Sequence, residues 1–190
     1  MNILILLGSP RKKGNSETLV NTVIEGIKEK TQCTVDSVYL HGLKDYHPCM
    51  GCGGCEKTGM CVIKDDMIEL YEKADKADII FLVTPVYFYG PTAQIKIFID
   101  RFQARWSRKY LLKQRVRQDD RRRGYLLATA ATKGPKVFDA CELIAKSYFD
   151  TADIEYGGKF VVRSVDEKKA LSNTPAELDK ARQFGREIAA

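Results

Sequence analysis

Five short apolar runs, at residues 3–7, 33–40, 78–85, 124–131 and 159–163, alternate along this chain with stretches of helical spacing. The alternation admits few folds. In the first helical stretch Val20, Ile24 and Ile27 recur at the helical period, and further helices are predicted from Asp65-Asp66 to about Lys76, over 90–102, over 135–149 and over 174–189. The last has Thr174 as N-cap, Pro175 at its first position and Glu177 to complete a capping box. Strands alternating with helices predict an α/β fold, a doubly wound parallel sheet of five strands with helices on both faces. Such sheets bind ligands beyond the carboxyl ends of their strands, where the strand order reverses. At 190 residues the chain is expected to form one domain, residues 1–190, large enough to bury a core without disulfide staples.

Two turns at strand carboxyl ends carry chemistry. "GSPRKKGNS" (8–16) lacks G-x-G-x-x-G, and five residues rather than four separate Gly8 from Gly14, with Asn15 where a Walker loop has lysine. It offers a cradle for one terminal phosphate: short donors on Ser9, Asn15, Ser16 and Thr18, a cation on Arg11, and the free N–H groups of a helix N-terminus. An ordinary turn capped by Ser16 would need fewer donors. The second turn, "TPVYFYGPT" (84–92), sets Tyr87, Phe88 and Tyr89 between prolines, which suits a flat heteroaromatic ligand.

Four of the six cysteines fall in "PCMGCGGCEKTGMC" (48–61). No apolar run approaches the roughly 18 residues of a membrane span, and residues 3–7 are too short for a signal peptide. A cytoplasmic, reducing location is therefore expected, in which clustered thiols suggest metal or redox chemistry. The spacing C-x2-C-x2-C-x5-C is too compact for paired zinc knuckles and closer to the ferredoxin run, with a last gap wide enough for Cys61 to return to the site of Cys49, Cys52 and Cys55. The neighbouring glycines allow tight curling and N–H groups aimed at sulfur. A redox-active thiol pair remains an alternative. Cys33 and Cys141 read as small buried hydrophobes, and with only His41 and His47 no catalytic triad can be assembled.

Charge is concentrated. Between Arg101 and Arg123 ten basic residues face Asp119 and Asp120, a local +8 in a chain whose formal charge is +6. This basic insertion is expected to be a solvated face serving assembly or docking, with an acidic electron carrier as a further partner through electrostatic steering. No nucleic-acid fold signature accompanies Trp106 and Tyr110 within it.

"GSPRKKGNS", "TPVYFYGPTAQIKIFIDR" and the cysteine run together resemble the flavodoxin-like NADPH-dependent FMN reductase superfamily, and more narrowly its iron–sulfur flavoproteins. The resemblance spans nearly the whole chain. It implies FMN, with the phosphate on Ser9, Arg11, Asn15, Ser16 and Thr18 and the isoalloxazine against Pro85, Val86, Tyr87, Phe88, Tyr89 and Gly90. "AATKG" (130–134) takes the place of a third flavin loop, adding Thr132 and Gly134. The resemblance also implies a [4Fe–4S] cluster on Cys49, Cys52, Cys55 and Cys61. Two functions follow. One is a redox protein passing electrons between flavin, cluster and a ferredoxin-like carrier. The other is an NAD(P)H-dependent FMN or quinone reductase whose cysteines hold no cluster; a redox sensor is a third. Assembly as a homodimer or homotetramer is expected.

Overall fold

The computed structural model describes residues 1–117 and 121–190; Asp119 and Asp120 of the basic insertion lie outside the described residues. Strands β1 (Asn2–Leu7), β2 (Thr34–Tyr39), β3 (Ile79–Pro85), β4 (Arg123–Thr129) and β5 (Glu155–Val162) form one parallel sheet in the order β2-β1-β3-β4-β5. That is the flavodoxin-like order, and it reverses between β1 and β3. β1 and β3 are buried on both faces, which is why their sequences are continuous apolar runs.

Side chains alternate across each strand and so define two cores. Leu4, Leu6, Ile80 and Leu82 pack under α2 (Met67–Lys76), α3 (Ala93–Arg101) and α5 (Asp139–Thr151). Ile3, Ile5, Phe81 and Val83 pack under α1 (Asn15–Lys28) and α6 (Pro175–Ile188). Helix α3 continues through Phe102 into α4 (Gln103–Trp106) and a π-helical turn (Ser107–Leu111), so the basic insertion begins as helix.

Several boundaries differ from expectation. β5 starts four residues early, at Glu155, because Gly157 is a bulge rather than a turn: a Cβ there would sit 2.5 Å from the Tyr125 ring. α3 starts at Ala93 because residues 87–90 form their own tight turn, and α5 at Asp139 rather than residue 135. The capping box at α6 does not form. The Thr174 hydroxyl donates to the Leu171 carbonyl at 2.7 Å, and the Glu177 carboxylate pairs with Lys180.

Candidate functional site

A cleft of about 100 Å³ opens beyond the carboxyl ends of β1, β3 and β4, at the strand-order reversal. Ser9, Arg11, Asn15 and Ser16 line one wall and Pro85, Val86 and Tyr87 another. β1 is followed by Gly8, whose N–H donates to the Val83 carbonyl at 2.8 Å; a Cβ there would lie 2.3 Å from Ile95 of α3. The Ser9 hydroxyl accepts the Arg11 N–H at 3.2 Å, folding the turn back on itself. The first bond of the α1 ladder runs from the Thr18 N–H to the Gly14 carbonyl, leaving the amides of Asn15, Ser16 and Glu17 outside the ladder. With Arg11 at the rim, these groups can receive an anion.

Not every predicted donor is available to a ligand. The Asn15 amide donates to the carbonyls of Val165 (3.2 Å) and Glu167 (2.8 Å), and its oxygen accepts the Leu171 N–H at 3.1 Å. Asn15 therefore staples the loop after β5 to the turn after β1. Thr18 lies outside the cleft, in a shallow groove beside Lys13, Asn21 and Lys169. Of the "AATKG" loop, Ala131 lines the cleft, and residues the sequence did not single out complete it: Thr129 at the end of β4, and Val165, Asp166 and Lys168 from the stapled loop. Lys168 supplies a second cation. Their one signal is position, since each follows a strand's carboxyl end.

The aromatic turn is anchored by the Val86 N–H on the Thr129 carbonyl (2.8 Å) and closed by reciprocal bonds between Tyr87 and Gly90, at 2.9 and 3.0 Å. Between them Phe88 and Tyr89 adopt φ of +50° and +66°, a left-handed conformation that non-glycine residues seldom hold. Phe88 is fully exposed and Tyr89 largely so. The Cys141 thiol, pushed up to about 11 by burial, donates to the Tyr89 carbonyl at 3.6 Å. A side chain at Gly134 would meet the Tyr89 hydroxyl at 3.8 Å, whereas Thr132 is exposed and off the cleft wall.

All four cysteines of the glycine-rich run line a second cavity, of about 400 Å³, against the carboxyl end of α3. Cys49 and Cys52 are exposed; Cys55 and Cys61 are half-buried and pack on the core. Gly51, Gly53 and Gly59 hold φ near +63°, +69° and +66°, which lets the loop coil inside so few residues. Gly59 is also packed tightly, since a Cβ would come within 2.8 Å of the Arg108 Cβ. Among the described residues no three His, Cys, Asp or Glu side chains converge closely enough to hold a single metal ion. Four thiols around one cavity nonetheless suit a cluster, whose corners spread its ligands wider than one ion does. His47 takes no part: its imidazole meets Asp45 at 2.7 Å, and both are exposed. Helix α3 separates the two sites. Ile95 near its start abuts Gly8 of the cleft, Asp100 and Arg101 near its end line the cysteine cavity, and its nine residues rise about 13 Å.

The basic insertion is a solvated face only in part, with Lys113, Arg115 and Arg121 exposed. Arg101, Arg105 and Arg122 are buried. Arg101 forms a bidentate pair with Asp65 (2.6 and 2.9 Å), and Arg105 another with Asp75 (3.2 and 2.5 Å) while lying over the Tyr71 ring. Arg122 donates to the carbonyls of Ala74, Ala77 and Ala152, where α2 and α5 end. Lys109 meets Asp150 and Asp153, Arg117 meets Asp78 and Arg123 meets Glu155. The acidic partners lie outside the segment in sequence, so its local charge overstates what it shows to solvent. Its helical half instead cradles the cysteine loop. The Ser107 hydroxyl lies 3.4 Å from the Cys55 thiol, and Arg105 donates to the Gly59 carbonyl at 3.4 Å.

A sequence model of the family described as NADPH-dependent FMN reductase matches residues 1–134. An iron–sulfur flavoprotein of Methanosarcina thermophila is 38% identical over 116 residues, 61% of this chain and 60% of that one. Another, of Archaeoglobus fulgidus, is 39% identical over 101 residues, 53% of this chain and 45% of that one. The chain thus matches about half the length of these curated relatives. An NAD(P)H:quinone oxidoreductase from Methanothermobacter marburgensis superposes with a TM-score of 0.73 over 100% of this chain and 96% of its own, at 16% identity, a likeness of fold. No helix among the described residues is long and apolar enough to cross a membrane.

Proposed function

The chain belongs to the NADPH-dependent FMN reductase family, and on that premise we propose a flavin-dependent oxidoreductase that holds FMN in the cleft and a [4Fe–4S] cluster in the cysteine cavity. One domain carries both. The observation that carries the reading is that Cys49, Cys52, Cys55 and Cys61 all line one cavity. Flavin and cluster together would join two-electron to one-electron chemistry, serving NAD(P)H or a ferredoxin-like carrier in the cytoplasm, with the chain in a homodimer or homotetramer.

The residues of the chain divide the work. Arg11 and Lys168 supply positive charge to the phosphate, while Ser9, Ser16 and the first-turn amides of α1 supply hydrogen bonds. Asn15 holds the loop that carries Lys168. The strained turn from Pro85 to Gly90 presents the isoalloxazine with backbone amides and with Tyr87 as a stacking face. Four thiolates in a glycine-rich loop supply soft ligands to iron. Flavin, iron and sulfide analysis after anaerobic purification tests the reading: one FMN, with about four irons and four sulfides per chain, is the expected composition.

A second reading, an NAD(P)H-dependent FMN or quinone reductase without a cluster, is favoured by the exposure of Cys49 and Cys52 and by the lack of convergence of three side chains on one ion among the described residues. Steady-state NAD(P)H oxidation by iron-free protein at the rate of loaded protein would select it.

A further inference from the structure

One guanidinium closes the cysteine loop. The loop leaves the fold after His47 and rejoins it at Ile63. Arg101 Nη1 donates to the His47 carbonyl at 2.9 Å and Arg101 Nη2 to the Ile63 carbonyl at 3.5 Å, while both nitrogens grip Asp65. The His47 N–H donates to the same carboxylate at 3.2 Å, so both ends of the loop are tied to one buried ion pair. The Arg101 and Asp65 side chains are each 0% exposed. Arg101 also lines the cysteine cavity, and its Nε, itself buried, finds no hydrogen-bond partner among the described residues.

A buried guanidinium N–H without an acceptor is costly, and chains that bury arginine usually satisfy every donor. The neighbouring cavity is lined by four thiols, and a cluster bound by four thiolates is net anionic. Resting on the cluster reading above, we propose that Arg101 is a positioning residue of the cluster site, its Nε–H donating to a sulfur of the cluster or of Cys61 while its fork closes the loop. Burial opposes the arginine's charge, but the paired Asp65 carboxylate outweighs it and holds the group above its ordinary pKa. Hydrogen bonds to sulfur and local net charge set a cluster's potential. An N–H···S bond strengthens as the cluster gains negative charge, so Arg101 holds the potential up. Asp65, whose charge would act the other way, is neutralised by the same fork.

The test uses the full chain grown with 15N-arginine and loaded anaerobically with iron and sulfide. Pulsed EPR of the reduced cluster should show a weak 15N coupling that disappears in Arg101→Lys, which keeps the charge but lacks Nε–H. The coupling should persist in Arg108→Lys, since Arg108 Nε is a second buried donor without a partner among the described residues. A redox titration of Arg101→Lys should move the cluster midpoint to more negative potential and leave the flavin couple where it was. A loaded wild-type cluster without arginine coupling overturns the proposal, and this result needs no variant to fold. Coupling lost with Arg108 instead, or an Arg101→Lys midpoint equal to wild type, overturns it equally, whatever happens to stability. Wild type that takes up no iron or sulfide fails earlier and sinks the cluster reading itself.

Discussion

The hydroxyls of Ser16 and Thr129 lie 2.9 Å apart, joining the first turn of α1 to the end of β4 across 113 residues of sequence. Both are buried on the cleft wall, so the pair fixes the phosphate turn relative to the strand that anchors the aromatic turn. Thr129→Val keeps the shape and removes the partner, which should cost about 1 kcal/mol of stability. FMN affinity should fall several-fold with it. Unchanged denaturant unfolding and flavin titration together would show that the contact orients nothing.

Arg11 and Asn15 should separate in their effects although they share a turn. The Arg11 side chain makes one long bond among the described residues, 3.3 Å to the Asp166 carbonyl, and the residue is exposed. Arg11→Ala should therefore weaken FMN by roughly 10- to 100-fold, the value of about 1.5–3 kcal/mol for a charged hydrogen bond, and leave riboflavin nearly unaffected. Asn15→Ala strands two carbonyls and an amide of the 165–171 loop. It should lower stability by about 1–3 kcal/mol and weaken FMN and riboflavin alike. Fluorescence titrations with both flavins decide it; equal losses in Arg11→Ala would remove Arg11 from the phosphate site.

Arg122 should matter to stability and not to partners. Its three backbone acceptors are carbonyls at the ends of two helices, where intrahelical donors run out, although Arg117 also reaches that of Ala77 at 3.4 Å. Arg122→Met is expected to cost about 2–4 kcal/mol, a fall in Tm of roughly 4–16 °C for a chain of this size. The salt dependence of reaction with an acidic carrier should be unchanged. A stable variant with a weaker salt dependence would return Arg122 to the surface role its sequence suggests.

The sheet was legible because its central strands are buried on both faces, so Ile3 to Leu7 and Ile79 to Val83 announce themselves without any tertiary knowledge. The candidate cleft was legible where one turn contains its residues: Ser9, Arg11 and Ser16 share it with Pro85 to Tyr87. It was illegible where remote segments supply the groups. Nothing local distinguishes Asn15 as a staple, because its three partners lie about 150 residues away. Lys168 and Thr129 carry no motif, only a place at a strand's end. The basic insertion misled most, since Asp65, Asp75 and Asp153 neutralise it from other elements, and the π-helical turn that brings Ser107 to Cys55 has no periodic signal.

Acid should act on the cysteine loop through Asp65. Burial pushes its carboxyl up, but Arg101 and the N–H groups of His47 and Met67 outweigh that and hold it below the ordinary carboxylate value. Its contribution to stability is thus complete above the unfolded value of about 3.9 and is lost as pH falls through the lower folded value. Denaturant unfolding followed from about pH 5 to pH 2 should show wild-type stability dropping with a steeper slope than Asp65→Asn, which starts lower and changes less. Parallel slopes would mean that Asp65 does not titrate with unfolding in that window.

The central claim is that four cysteines hold one cluster apart from the flavin, and iron content of matched anaerobic samples tests it most directly. Wild type and Cys55→Ala, each supplied with iron and sulfide, should both be folded and yellow with about one FMN per chain, because the cleft and the cysteine cavity lie at opposite ends of α3. Wild type should hold about four irons and four sulfides per chain, whereas Cys55→Ala should lose them and react far more slowly with one-electron carriers. Equal iron in the two proteins, or none in wild type, would contradict the account and leave the cysteines to thiol chemistry.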